Sequence, residues 1–415
     1  MGTALRWLTL GLLVSTAITT LTVATVAGED DGTPQPLAQA LLPVDGFYDR
    51  PVEMSAEPGT LLRSERLVDR VLPAGSQAWR MQYATTLPND LPAVAVATVL
   101  APEVLPAAPM PVIAWDHGTV GLVQRCLPSL TTIPFAAIPA VQQAIEQGWV
   151  VVAPDYVTDA SGIHPFLIGE GEARSTLDAV RAAHQLPDLD LGEQTVVWGH
   201  SQGGHAALWT TMLAPAYAPD ITLAGAVAIA PAADLLRLLE MHGGDAVASG
   251  IGAFLVNAYD RYYQDISYDE AVRISAHQAG RDLATRCPLD PQDAPVITSL
   301  IEGLGGESLL ETPLPRALAA RMAENTPRGP FSVPVLIAQG QADEVVFPAA
   351  TDAFVLDRCE EGFTLEYWRL PDQDHRSIVA PGSSLEAPLI AWTQQRFAGE
   401  EAQAACLEFT LPSLP

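Results

Sequence analysis

The sequence contains no lysine; all 21 basic residues are arginine, against 49 acidic ones, for a formal net charge of −28. A surface this acidic repels phosphate backbones and anionic membranes, which argues against nucleic-acid binding. Charged residues make up only 17% and hydrophobic residues 48%, so the chain is globular with a sizeable core. Cysteine is scarce: Cys126, Cys287, Cys359 and Cys406. None belongs to a C-x-x-C, which removes zinc and thiol-redox readings and leaves three possible pairings. Heptads, internal repeats and metal-ligand spacings are also absent. Asp188-Leu189-Asp190-Leu191-Gly192-Glu193 is too short for a calcium loop and reads as a solvated turn. No metal or cofactor is expected, and the chain is expected to act as a monomer.

One long uncharged apolar run occurs, from Trp7 to Val26 after Arg6. Small residues at Thr25 and Ala27 fit a signal-peptidase site, with cleavage after Ala27 and an acidic start at Gly28-Glu29-Asp30-Asp31. An uncleaved anchor is the alternative, but the frequent threonines make a poor membrane span. The protein is expected to be secreted, and an even cysteine count then suggests two disulfides.

The 415 residues suffice for one large α/β domain with an insertion, or for two domains. Their organising stretch is Val196-Val197-Trp198-Gly199-His200-Ser201-Gln202-Gly203-Gly204-His205. An apolar strand runs without a linker into a G-x-S-x-G, and Ala206 to Leu213 continues at helical spacing. Such a strand–turn–helix strains the residue at the bend and leaves the Ser201 hydroxyl exposed at the sheet's end: a nucleophile elbow.

Around it the chain alternates. Arg63–Val71, Ala78–Thr85 and Ala93–Leu100 read as meander strands; Pro111–Trp115, Trp149–Ala153, Leu223–Ile229, Val333–Ala338 and Phe363–Leu370 follow. Helical patterns lie between them at Ala140–Gln147 and Gly171–Gln185, with a last one at Ser384–Phe397. The expected fold is α/β: a mostly parallel, doubly wound sheet of the α/β-hydrolase kind. Residues 232–330 lack strand signals and read as helices Leu235–Met241, Val247–Tyr263, Ser267–Ala279, Pro295–Leu304 and Leu314–Asn325. The expected organisation is a signal peptide 1–27, an irregular arm 28–60, a core in two parts, 61–231 and 331–415, and a helical cap 232–330 between them.

A serine hydroxyl is too weakly acidic to attack an acyl carbon unaided, so Ser201 needs a base and the base an orienting acid. In this fold the acid and then the histidine follow later strands. Asp343, in Gly340-Gln341-Ala342-Asp343-Glu344, follows the penultimate expected strand, and His375, in Pro371-Asp372-Gln373-Asp374-His375, follows the last. Glu344 competes with Asp343; Asp372 and Asp374 lie too close in chain to reach the ring correctly. His200 and His205 flank the elbow and pack beside it. His164, His184, His242 and His277 lack a strand-end context. The oxyanion of acyl transfer needs preorganised donors. The backbone of Gln202 supplies one, and the loop His117-Gly118-Thr119 the other, through Thr119.

Ala114-Trp115-Asp116-His117-Gly118-Thr119-Val120-Gly121 with Cys126-Leu127-Pro128-Ser129, Pro154-Asp155-Tyr156, Gly169-Glu170-Gly171-Glu172-Ala173 and the elbow together resemble the secretory lipase family over residues 60–410. The resemblance implies an exported α/β-hydrolase with a helical lid that cleaves acylglycerols or other carboxylic esters, meeting its lipid substrate transiently at an interface. It also implies the pairs Cys126–Cys287 and Cys359–Cys406. The family type has an acidic side chain among its oxyanion groups, where this chain places Thr119. Two competing readings are an exported serine peptidase or cell-wall acyltransferase, and a non-catalytic hydrolase-fold binding protein. The latter sits poorly with Ser201, Asp343 and His375 all standing in order.

Overall fold

A computed structural model describes residues 40–49, 55–402 and 405–412. The expected signal segment and much of the arm lie outside them. The strands are β1 (Leu61–Arg66), β2 (Ser76–Thr86), β3 (Pro92–Pro102), β4 (Met110–Asp116), β5 (Val150–Pro154), β6 (Leu191–His200), β7 (Thr222–Ile229), β8 (Val335–Gly340), β9 (Leu365–Leu370) and β10 (Cys406–Thr410). They form one sheet in the order β1-β2-β3-β5-β4-β6-β7-β8-β9-β10. The first three pair antiparallel, as does β3 with β5; from β5 to β10 all pairs are parallel.

Parallel strands need crossovers, and here helices supply them on both faces. The helices are α1 (Val141–Glu146), α2 (Gly169–Ala183), α3 (Gln202–Tyr217), α4 (Leu235–His242), α5 (Ala246–Tyr262), α6 (Tyr268–Ala271), α7 (His277–Leu283), α8 (Ala294–Glu302), α9 (Arg316–Glu324), α10 (Pro348–Glu360) and α11 (Glu386–Phe397). Successive side chains of a strand point to opposite faces. Ile113, Trp115, Val196 and Trp198 accordingly pack with Ile145 of α1 and Leu389 and Trp392 of α11. Val112, Ala114 and Val197 pack with Ala179 and Val180 of α2 on the other side, while α3 and α10 cover β7 and β8 through Leu208 and Phe354. Strands buried on both faces explain why the sequence reads there as continuous apolar runs.

Helices α4–α9 all lie between β7 and β8 and share a separate apolar cluster built on Leu238, Phe254, Leu255 and Tyr259. That cluster also takes in Leu122, Phe166, Leu167 and Val346 from loops at the carboxyl ends of the strands. The helix expected over Ser267–Ala279 is broken. After α6, Val272 bridges to Leu310 and the Arg273 amide donates to the Leu309 carbonyl (3.0 Å), so the chain leaves helical geometry before α7. Two elements carry no assignment from sequence patterning. Helix α10 starts on Pro348 with a weakly one-sided pattern, and β10 is a largely exposed edge strand with no buried face to impose alternation. Among the described residues no helix is long and apolar enough to cross a membrane.

Candidate active site

Ser201 closes the turn between β6 and α3 with φ 58° and ψ −117°, a conformation costly for a residue with a side chain. The turn is tolerable because its flanks are bare. A Cβ on Gly199 would lie 1.9 Å from the Gly203 carbonyl oxygen, and one on Gly203 would lie 1.8 Å from that of Asp116. The Ser201 amide donates to the Ile229 carbonyl (2.9 Å), tying the bend to β7. These contacts are why the elbow needs glycine at both positions.

The Ser201 hydroxyl stands 3.0 Å from His375 Nε2, and His375 Nδ1 donates to Asp343 Oδ2 at 2.8 Å. Asp343 is buried in the turn after β8. Its Oδ1 accepts the amides of Val345 and Val346, each at 2.8 Å, and the Gln339 amide donates to Oδ2 at 3.1 Å. Glu344 is exposed. Asp374 is occupied by its own turn, accepting the amides of Arg376 (2.9 Å) and Ser377 (2.7 Å), and Asp372 is exposed. The three side chains singled out from strand order are thus brought together, 174 and 32 residues apart in sequence.

His200 donates from Nε2 to the His375 carbonyl (2.8 Å), and its ring lies against the His375 ring at 4.7 Å. Burial, with the neighbouring His375, pushes His200 down to about 3, so its ring is neutral near pH 7. Gln202 begins α3, where the first amides of a helix have no intrahelical acceptor. Across from it, a Cβ on Gly118 would lie 3.6 Å from Ser201 Cβ and 3.2 Å from His200 Nδ1. The loop after β4 therefore runs alongside the serine, and Thr119, next in chain, is partly exposed.

Beneath the elbow lies a polar network whose members stand out only singly in the sequence, Glu172 in the stretch Gly169–Ala173 and His205 beside the elbow. Glu172 of α2 is fully buried. Its Oε1 accepts the Gln202 side-chain amide (2.8 Å) and the Leu167 amide (3.1 Å), and its Oε2 accepts from His205 Nδ1 (2.7 Å). Burial opposes its ionisation, but the His205 ring, with His164 beside it, overrides that and holds the carboxyl down at about 2. His205 Nε2 donates in turn to the Asn325 carbonyl (2.7 Å), and the Asn325 side chain accepts the Gly169 amide (3.0 Å). The other Gln202 proton goes to His164 Nε2 (2.7 Å). On the β4 side, burial pushes Asp116 well above the ordinary carboxyl range, with Thr176 donating to it at 2.6 Å; burial pushes His117 down to about 4. Cys126 is bonded to Cys287 and Cys359 to Cys406. Among the described residues no group of three or more metal-binding side chains could hold a metal ion.

A mostly parallel sheet with a strained serine at the end of its central strand, and a helical insertion after the next strand, defines an α/β-hydrolase. The structure aligns with that of Candida antarctica lipase A at a TM-score of 0.73, covering 90% of this chain and 92% of the other at 19% identity. It aligns at 0.64 with a rice cell wall degrading esterase from Xanthomonas oryzae, covering 83% of this chain and all of the other at 20% identity. The profile of the secretory lipases matches residues 127–405, about two thirds of the chain. The chain belongs to the secretory lipase family, and carboxylic ester hydrolysis is the chemistry that membership assigns to it. In sequence it is 27% identical to Lipase A of Arthroderma benhamiae, over 91% of this chain and 84% of the relative. It is also 27% identical to a protein of Mycobacterium tuberculosis named a probable inactive lipase, over 90% and 86%.

Proposed function

We propose that the protein is an exported serine esterase or lipase that cleaves carboxylic esters, acylglycerols among them, through an acyl-enzyme formed on Ser201. The observation that carries this reading is the unbroken hydrogen-bonded line Ser201–His375–Asp343. His375 Nε2 takes the proton as Ser201 Oγ attacks the acyl carbon, then returns it to the departing alkoxide; water repeats the cycle to release the acid. Asp343 holds the Nδ1–H tautomer and stabilises the imidazolium. The oxyanion is received by the Gln202 amide and by Thr119 of the facing loop. Residues 232–330 serve as a cap that supplies the acyl-chain site, each buried methylene being worth about 0.8 kcal/mol. Export is supported by the two disulfides, which persist in oxidising compartments; cleavage after Ala27 falls outside the described residues.

The mycobacterial relative's name favours a second reading, a family member without turnover. One experiment separates the two. Purified protein is assayed on p-nitrophenyl esters of rising chain length and on emulsified triglyceride, beside Ser201→Ala. Turnover should be present and should fall about a thousandfold or more in the variant. No turnover in the parent, or undiminished turnover in Ser201→Ala, sinks the proposal.

A further inference from the structure

The inserted helices reach the turn that carries Asp343. His242, the last residue of α4, has no exposed side-chain surface. Its Nε2 donates to the Val345 carbonyl at 2.7 Å, its Nδ1 lies 2.9 Å from Asp245 Oδ2, and its ring lies against Phe347 with centroids 4.5 Å apart and planes tilted by 34°. Asp245 is itself fixed, since its other oxygen caps α5 by accepting the Ala248 amide (2.9 Å). The imidazole is therefore gripped on three sides and has one orientation.

The Val345 carbonyl and the Val346 amide are two ends of a single peptide group. That amide donates to Asp343 Oδ1 at 2.8 Å, and Asp343 Oδ2 accepts from His375. Hydrogen bonds consequently run without a gap from His242 through the 345–346 peptide to Asp343, His375 and Ser201. A planar peptide cannot tilt at one end alone. A bond accepted by its carbonyl also polarises the amide and strengthens what the amide donates. The neighbouring side chain, Val346, is buried in the cap's own apolar cluster, so the same peptide is held to the cap by packing as well.

We propose that His242 is a positioning residue for catalysis: it fixes the 345–346 peptide and thereby the carboxylate that orients His375. The inference rests on the reading of Asp343 as the catalytic acid. It makes the cap part of the catalytic framework as well as a substrate site, so weakening it should slow even an ester too small to fill an acyl site.

The test uses the full protein, with active sites counted by a p-nitrophenyl phosphonate, and measures kcat and KM on p-nitrophenyl acetate. His242→Phe keeps a ring over Phe347 and removes the donor; His242→Gln keeps a donor long enough to reach the carbonyl. His242→Phe should lower kcat by about tenfold with KM within about twofold of the parent, and His242→Gln should recover most of the loss. If His242→Phe yields no folded protein, His242→Gln against the shorter His242→Asn makes the same comparison. Unchanged kcat without the donor, or a Gln variant as slow as the Phe or Asn one, overturns the inference. Ser201→Ala run alongside keeps the two readings apart. Turnover in Ser201→Ala refutes the nucleophile, whereas a dead Ser201→Ala with a fully active His242→Phe refutes only the role of His242.

Discussion

Asp155, just beyond β5, shows what a buried carboxyl without a cationic partner does. It accepts the Ser129 amide at 2.9 Å and is bonded to the Ser129 hydroxyl, which is in turn 2.6 Å from the Tyr48 hydroxyl. Burial outweighs those bonds and pushes the carboxyl up to about 7. A raised folded-state value means that between about pH 4 and 7 the native protein binds a proton the unfolded chain has released. The stability this group contributes is full below its unfolded pKa of 3.8 and is lost as pH rises towards 7. Asp155→Asn mimics the neutral form at every pH. Its urea stability relative to the parent should therefore improve from pH 4 to pH 7, by about 1–4 kcal/mol at roughly 1.4 kcal/mol per pKa unit. A difference that stays constant with pH would show that Asp155 is ionised in the native state.

At the scale of elements, the two disulfides do different work because they end in different places. Cys126–Cys287 joins the loop after β4 to the chain that follows α7 and closes 161 residues; Cys359–Cys406 closes 47 and joins the end of α10 to β10. In the chain-entropy account these loops are worth about 5 and about 4 kcal/mol. Strand β10 pairs with β9 on one edge only and has no buried residue, so the bond at Cys406 adds a covalent anchor to an exposed ladder. Cys406→Ser with Cys359→Ser should speed hydrogen exchange at Leu407–Thr410 while leaving ester turnover within about twofold, because β10 lies two strands from the Asp343 turn. Slow exchange retained in that variant would show that pairing with β9 suffices. The edge strand and α10 carry little patterning because neither depends on an alternating or strongly one-sided apolar face. The central strands β4–β8 were legible because each is buried on both faces.

For the whole molecule the dominant quantity is charge. With 28 excess negative charges the protein should avoid anionic interfaces and meet uncharged ones freely. Hydrolysis of emulsified triglyceride should fall at low salt when the droplets are coated with anionic phospholipid. It should recover as salt shortens the screening length to about 10 Å near 0.1 M. Turnover of dissolved p-nitrophenyl acetate should be indifferent to the coating. Salt-independent activity on coated droplets would mean that the face approaching lipid is shielded from the net charge.

The linear order of residues was enough to point to the elbow, to the succession of strands as far as β9, and to Ser201, Asp343 and His375 as the candidate triad. Each of those rests on local spacing: glycines flanking a strained turn, or a polar residue just past an apolar strand. Order in sequence also separated Asp343 from Asp372 and Asp374, which lie too near His375 in the chain to swing round to its ring. What only the tertiary structure decided is the company these residues keep. His242 bonds a carbonyl 103 residues away, His205 one 120 residues away, and Gly169 meets the Asn325 side chain across 156. Glu172 sits inside a helix whose burial on nearly every side has no linear signature. A backbone carbonyl is the same group at every position, so no residue type announces which one a buried histidine will find. That choice is made when helices α4–α9 pack against the loops at the ends of the strands.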